Sequence, residues 1–95
     1  METTNSGKLV LVTGANGFVA SHCIQQLLLA GYRVRGSVRS LNNKSKNEFL
    51  FKLVPEKNDN LELVEADLLN KESWITATKG CDYVFHVASP VLFGN

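Results

Sequence analysis

Two glycines in the stretch VTGANGFVASH, Gly14 and Gly17, are the first residues whose types and spacing could do chemistry. They lie between a short apolar run and a segment with helical spacing of apolar residues. A glycine directly after a strand allows a sharp turn, and one at a helix start lets a ligand approach the backbone without meeting a Cβ atom. The N–H groups of the first helical turn then face the ligand, and their dipoles favour an anion such as pyrophosphate.

The spacing is Gly14-x-x-Gly17-x-x-Ala20 rather than G-x-G-x-x-G, and the predicted strand before it and helix after it strengthen the signal. A Walker A loop is excluded because no Gly-Lys-Ser/Thr follows. On a helical wheel Ala20 lies close to Leu27, at the centre of the predicted buried face. A small side chain is needed there for packing of the helix against the strand. The alternative is a strand-to-helix turn that binds nothing.

Basic residues follow the second predicted strand, where a dinucleotide site of this kind distinguishes NAD from NADP. An NAD site usually has an acidic residue about 20 positions beyond the glycines. Between Gly14 and Glu48 there is no Asp or Glu; Arg39 ends the strand instead, and Lys44 and Lys46 follow. A guanidinium can pair with a 2′-phosphate and stack on adenine, so the pattern favours NADP. The alternative, for Lys44 above all, is a solvated surface charge.

Alternating strands and helices must position these residues. Short apolar or β-branched segments predict strands at 8–12, 32–38, 61–66 and 82–88. Helical spacing predicts helices at 17–30, 48–54 and 70–80, with Asn70 as N-cap of the third, and the polar segment EKNDN is predicted to be a loop. On the first helix, Phe18 and Leu29 project to the polar side.

The order βαβαβαβ predicts an α/β fold with a Rossmann-type parallel sheet of strand order 3-2-1-4. Ligands of such sheets bind at the carboxyl ends of the strands, near the point where the strand order reverses. Four residues are expected to gather at those ends: Gly14, Arg39, Asp67 and Ala88.

Composition limits the remaining function classes. The chain has 95 residues, at most one domain, with 44% hydrophobic residues, 20% charged residues and a formal net charge of +1. These values are typical of a globular protein and indicate neither a nucleic-acid partner nor a disordered chain. No apolar run approaches the ~18 residues that cross a bilayer and no secretory signal is present, so we expect no membrane association and a cytoplasmic location.

The cysteines and histidines carry no predicted role. Cys23 and Cys81 lack metal-ligand spacing and are expected to be small buried residues. His86, in the fourth predicted strand, is expected to be a packed histidine rather than a metal ligand or base, and His22 lies on the polar face of the first helix. No metal site and no catalytic residue is predicted.

The segments VTGANGFVASH, VRGSVRS, EADLLNKESW and GCDYVFHVASPV, with the spacings between them, resemble the extended short-chain dehydrogenase/reductases, and within these the dihydroflavonol and cinnamoyl-CoA reductase group. The resemblance covers about residues 8–91. It implies that the cofactor is NADP(H) and that four sets of residues contact it. These are Gly14, Asn16, Gly17, Phe18 and Val19 at the pyrophosphate; Arg39 and Lys46 at the 2′-phosphate; Asp67 and Leu68 at the adenine; and Val87, Ala88 and Ser89 along the ribose.

Asp67 also has a physical rationale of its own, because a carboxylate at a strand end can accept a hydrogen bond from the adenine amino group. The alternative is an acidic residue stabilised by the dipole of the following helix.

The resemblance further implies hydride transfer between NADPH and the carbonyl of a small-molecule ketone or aldehyde, with a Tyr-x-x-x-Lys pair at the proton-transfer step. Neither Tyr32, followed at that offset by Gly36, nor Tyr83 fits this motif. We therefore expect residues 1–95 to be the N-terminal part of a single NAD(P)-binding domain of an oxidoreductase, without its catalytic half and inactive alone.

Two alternatives remain open at this point. One is a relative of the nucleotide-sugar epimerases or hydroxysteroid dehydrogenases, and the other is an NADP-binding interaction module without catalysis. If the sheet ends at its fourth strand, that strand is an apolar edge with unpaired N–H and C=O groups, so we expect an isolated chain to be marginally stable and prone to associate.

Overall fold

In the part of the chain that the structure describes, four parallel strands form one sheet with helices on both faces. The computed structural model describes residues 7–42, 44–67 and 70–86, apart from the side chain of Lys46. The strands are β1 (Leu9–Val12), β2 (Arg33–Val38), β3 (Leu61–Glu65) and β4 (Tyr83–Phe85). Their order is β3-β2-β1-β4, and each neighbouring pair is parallel. The predicted fold and strand order are confirmed.

The helices are α1 (Phe18–Leu29), α2 (Lys44–Glu48) and α3 (Lys71–Thr78). Two 3-10 helices, Phe49–Lys52 and Pro55–Asn60, connect α2 to β3. Asn70 is the N-cap of α3, as predicted, and its side chain accepts a hydrogen bond from the Ser73 N–H. No helix in the described part of the chain is long and apolar enough to cross a membrane.

The segment between β2 and β3 differs from its prediction. The helix expected at 48–54 begins four residues earlier, at Lys44, and the loop expected at EKNDN is helical. Periodicity could not detect α2 because its sequence, KSKNE, has no apolar residue. A buried polar side chain, Asn47, connects α2 to the fold instead.

Two strand ends also differ from the sequence expectation. β3 ends at Glu65, although the Ala66 N–H still donates to the Val38 carbonyl at 3.0 Å. The described part of the fourth strand is Tyr83–Phe85, and His86 follows it rather than lying within it. Residues 87 and 88 of the predicted strand lie outside the described residues.

The sheet separates two apolar clusters, because successive strand residues face opposite sides. Val10 and Val12 face α1 and pack in the larger cluster with Ile24 and Leu28, whereas Leu11 faces α3 and packs with a smaller group. These five side chains are at most 2% exposed. The larger cluster fixes α1, whose amino end points to the carboxyl end of β1.

The buried face of α1 is narrower than the helical spacing of its apolar residues predicts. Val19 is 60% exposed, and Cys23 and Leu27 are only partly buried. Ser21 is buried as well, and its Oγ donates to the Phe18 carbonyl at 2.9 Å, so the hydroxyl has a partner within the helix. The prediction for Phe18 is confirmed.

Candidate functional site

The glycine loop, residues 13–17, crosses the carboxyl ends of three neighbouring strands. The Thr13 N–H donates to the Phe85 carbonyl of β4 at 3.0 Å, and the Ala15 N–H donates to the Ser37 carbonyl of β2 at 2.8 Å. Gly14 has a φ of 62°, in the left-handed region, and its carbonyl accepts from the Gly17 N–H at 2.9 Å. Main-chain hydrogen bonds thus hold both sides of this loop.

The first turn of α1 presents backbone donors that no side chain in the described part of the chain caps. Its N-cap is Gly17, which forms no side-chain cap bond, and the turn contains no acidic residue. The first N–H groups of an α-helix have no partner within the helix, and they carry partial positive charge. A Cβ on Gly17 would lie 3.2 Å from the Gly14 carbonyl oxygen. The turn therefore has the chemistry of an anion site with close backbone access.

Gly36, in β2, allows the glycine loop to lie against the sheet, and the sequence analysis missed this role. A Cβ on Gly36 would lie 2.7 Å from Ala15 Cβ and 3.0 Å from Leu63 Cδ2. Ala15 is fully buried there. The available signal was a glycine inside a predicted strand, which often marks a close backbone approach.

Ser37 is a second contact of this loop that the sequence did not reveal. It is 2% exposed, and its Oγ accepts from the Gly14 N–H at 3.3 Å. Its carbonyl already receives the Ala15 N–H, so one β2 residue contacts the loop through both main chain and side chain.

The loop after β2, residues 39–42, is named here the β2 loop. Arg39 is exposed, and within the described ranges it forms no ion pair or hydrogen bond. The Asn42 N–H donates to Ser40 Oγ at 3.1 Å, and the Leu41 N–H donates to Glu65 Oε2 at 2.9 Å. Arg39 therefore stands at the end of β2, next to the strand that carries the glycine loop, with its charge available.

Glu65 is a carboxylate that the sequence argument did not take into account. The chain has no acidic residue between Gly14 and Glu48, but β3 brings Glu65 to the β2 loop from further along the chain. Its hydrogen bond to the Leu41 N–H orders the loop and also places a negative charge beside it.

Asp67 follows β3 at the same edge of the sheet and is exposed. Its N–H donates to Ser73 Oγ at 3.0 Å, and its carbonyl accepts from the Asn70 N–H at 2.8 Å. The capped start of α3 thereby fixes the main chain of Asp67.

The structure brings the glycine loop, Arg39 and Asp67 to one edge, after β1, β2 and β3. Phe18 and Val19, in the first turn of α1, are 80% and 60% exposed. Four other predicted site residues, Leu68, Val87, Ala88 and Ser89, lie outside the described residues. Lys46 lies in α2, and its role stays a prediction.

His86 lies next to the glycine loop. Its Nδ1 is 3.2 Å from Thr13 Oγ1, and its ring meets that of Trp74 edge-on, with 6.0 Å between centroids. His86 is nevertheless exposed, so it is packed on part of its surface only. The described residues contain no group of three His, Cys, Asp or Glu side chains that could hold a metal ion.

The face of the sheet that packs against α3 carries an ionic network. Arg35 Nε lies 2.7 Å from Glu62 Oε2, and Arg35 Nη1 donates to the carbonyls of Ala77 and Lys79 at 2.7 Å each. Burial raises the pKa of the nearby Cys81 thiol, while the Arg35 charge acts in the opposite direction. This network fixes the end of α3, and its contacts among the described residues include none with the glycine loop or the β2 loop.

The chain is similar to several reductases over most of its length. It is 51% identical over 83 residues to tetraketide alpha-pyrone reductase 1 of Arabidopsis thaliana, covering 87% of this chain and 25% of that protein. It is 50% identical over 86 residues to cinnamoyl-CoA reductase 1 of Petunia hybrida, covering 90% of this chain and 25% of the relative. The chain thus spans about a quarter of the length of these relatives.

Solved structures agree with this similarity. The chain superimposes on vestitone reductase from alfalfa (Medicago sativa) with a TM-score of 0.73 and 38% identity, covering 90% of this chain and 26% of the other. It superimposes on Gre2 of Candida albicans, solved in complex with NADPH, with a TM-score of 0.69 and 33% identity, covering 87% and 25%. Residues 10–93 match the NAD dependent epimerase/dehydratase family. With the glycine turn between β1 and α1 and the 3-2-1-4 sheet, this match establishes that the chain belongs to that family.

Proposed function

We propose that this chain is the NADP(H)-binding part of a reductase that transfers a hydride between NADPH and the carbonyl group of a small-molecule ketone or aldehyde. The observation that carries the proposal is the placement, after two neighbouring parallel strands, of a helix start and an Arg39 side chain that no side chain among the described residues pairs with. The named activities of the related reductases support the reaction class.

The first turn of α1 would hold the pyrophosphate. Gly17 leaves the backbone open to close approach, and the N–H groups of the turn would donate to phosphate oxygens. Phe18 and Val19 expose apolar surface beside this turn and would cover the cofactor on that side.

The residues after β2 and β3 would hold the adenosine half. The Arg39 guanidinium would pair with the 2′-phosphate, to which a planar group with several N–H donors is well suited. Lys46 would add a second positive charge. Asp67 would accept a hydrogen bond from the adenine amino group, and Leu68 would lie beside it, while Val87, Ala88 and Ser89 would line the ribose.

NADPH, when bound, supplies the hydride that reduces the carbonyl carbon. The residues of this chain bind and orient the dinucleotide. The sequence contains no Tyr-x-x-x-Lys pair, so we assign the proton transfer to none of these 95 residues.

Isothermal titration calorimetry with NADP and with NAD, on the protein as its cells produce it, tests this proposal. We expect NADP to bind about 10- to 100-fold more tightly, because hydrogen bonds to a charged group contribute about 1.5–3 kcal/mol and each 1.4 kcal/mol is tenfold. Arg39→Asp should reverse the order, since a carboxylate repels the 2′-phosphate and can accept from a ribose 2′-OH.

Arg33→Asp is the matched control, because Arg33 is exposed at the opposite end of the same strand. It makes the same change of charge away from the glycine loop and should leave the NADP preference intact. Equal affinities for the two dinucleotides would contradict the role of Arg39, and failure to bind either one would contradict the whole proposal.

A further inference from the structure

Asn47 of α2 is a buried polar residue between the two loops of the candidate site. It is 6% exposed, although the residues on either side of it are polar or charged and α2 has no apolar residue. Burial of a side-chain amide is unfavourable unless its donor and acceptor both find partners. The partners of Asn47 therefore explain why this position is buried.

The two ends of the Asn47 amide bond to different loops. Its Oδ1 accepts from Asn16 Nδ2 at 3.1 Å, and its Nδ2 donates to the Ser40 carbonyl at 3.0 Å. Asn16 belongs to the glycine loop, and Ser40 directly follows Arg39 in the β2 loop. Because an amide carries donor and acceptor on one rigid plane, Asn47 links the glycine loop to the segment directly after Arg39.

Two other side-chain contacts of the β2 loop, both among the described residues, lead elsewhere. The Leu41 N–H bonds to Glu65 of β3, and the Asn42 N–H bonds to Ser40 within the loop itself. Neither contact reaches the glycine loop. Loss of the Asn47 amide would leave the end of β2 bonded to the glycine loop through Ser37, and it would remove the link between the Ser40 carbonyl, directly after Arg39, and Asn16.

We propose that Asn47 is a positioning residue for cofactor choice. It holds the Arg39–Ser40 segment so that the Arg39 guanidinium meets the 2′-phosphate of a dinucleotide whose pyrophosphate lies on the first turn of α1. The inference rests on the proposed function. Asn47 itself contacts Asn16 and Ser40, and it acts on the 2′-phosphate only through Arg39.

Asn47→Leu tests this role, because leucine has a similar size and can make neither hydrogen bond. Binding of NADP and NAD to the variant, made in the protein as its cells produce it, is measured by calorimetry. We expect NADP affinity to fall about tenfold, since Arg39 must then be ordered at the expense of conformational entropy, and NAD affinity to change less than about threefold. Retained NAD binding shows that the variant is folded.

A double-mutant cycle with Arg39→Ala distinguishes positioning from a structural role. If Asn47 acts through Arg39, the loss of NADP affinity caused by Arg39→Ala is smaller in the Asn47→Leu background than in the native one. Asn58→Leu, at an exposed position of the second 3-10 helix, is the matched control and should change neither affinity. Asn47→Ser, whose hydroxyl is too short to bridge both loops, replaces Asn47→Leu if that variant does not fold.

An equal loss of NADP and NAD affinity, additive effects in the cycle, or no change at all would each overturn the role of Asn47. These results are distinct from failure of the proposed function, which would appear as a native protein that does not prefer NADP. In that case the inference about Asn47 falls with it.

Discussion

The glycine loop and the β2 loop lie at the ends of neighbouring strands, but different kinds of contact hold them. Main-chain hydrogen bonds to β2 and β4 are the main contacts of the glycine loop, with Ala15 buried against Gly36. Ser37 and Asn47 add one side-chain hydrogen bond each. Side chains from later in the chain, Asn47 and Glu65, hold the β2 loop.

Because of this difference, anion binding and the choice between NADP and NAD should respond to different kinds of substitution. Main-chain hydrogen bonds survive most substitutions, because every residue except proline supplies the same donor and acceptor. Side-chain hydrogen bonds depend on a few residue types. We therefore expect anion binding at α1 to be sensitive to backbone space and the choice between NADP and NAD to be sensitive to individual side chains.

Gly36→Ala should have the largest effect, because it disturbs the packing that seats the glycine loop. The new Cβ would lie 2.7 Å from Ala15 Cβ, so the loop must move away from β2. We expect a loss of about 1–3 kcal/mol in the free energy of unfolding, the usual cost of overpacking, together with weaker binding of both NADP and NAD. Urea unfolding and calorimetric titration measure the two effects.

Gln26→Ala is the control for Gly36→Ala, since Gln26 is exposed on α1 and its replacement should change stability by no more than about 0.5 kcal/mol. A Gly36→Ala protein with native stability and native affinity for both dinucleotides would show that the loop does not depend on this packing.

Gly17→Ala should have an intermediate effect, mainly on binding. The backbone of Gly17, with φ −78° and ψ 162°, is open to alanine, and the new Cβ would lie 3.2 Å from the Gly14 carbonyl oxygen. The methyl group would, however, occupy the space where a phosphate must approach the backbone. We expect both affinities to fall by about tenfold or more, a cost of about 1.4 kcal/mol, with the NADP preference unchanged.

The comparison with Arg39→Asp sharpens this expectation, because that variant should change the preference and leave NAD binding intact. If Gly17→Ala instead altered the preference and left NAD binding unchanged, the assignment of anion binding to the glycine loop and of cofactor choice to the β2 loop would be wrong.

Glu65→Gln should have the smallest effect. The Gln side-chain carbonyl can still accept from the Leu41 N–H, so the β2 loop stays attached while one negative charge is removed. We expect NADP affinity to rise by about twofold to fivefold, since exposed charge interactions contribute about 0.2–1 kcal/mol, and NAD affinity to stay constant.

Titration at two salt concentrations checks the cause of the Glu65→Gln effect, because an electrostatic gain decreases with ionic strength. A gain that salt does not reduce would point to a change in loop structure instead.

Local patterns predicted most of the fold. β-branched runs located the strands, helical spacing located α1 and α3, and the handedness of crossovers gave the sheet order. The segment between β2 and β3 could not be predicted this way, because α2 has no apolar residue.

The residues that shape the candidate site were only partly visible in the sequence. Glycine and arginine positions are recognisable because they stand at fixed offsets from a strand. Asn47 and Glu65 were not recognisable, since they bond to groups 31 and 24 residues away in the chain, and no local spacing records such contacts.

The sequence by itself determined the order of the elements, the glycine turn and the basic residue at the end of β2, because each depends on neighbours along the chain. The tertiary structure decided how the two loops are held together. Gly36 admits Ala15, Asn47 joins Asn16 to Ser40, and Glu65 reaches Leu41 only when separate strands and helices pack side by side. Hydrogen bonds and packing act over a few ångströms in space, whatever the separation in sequence.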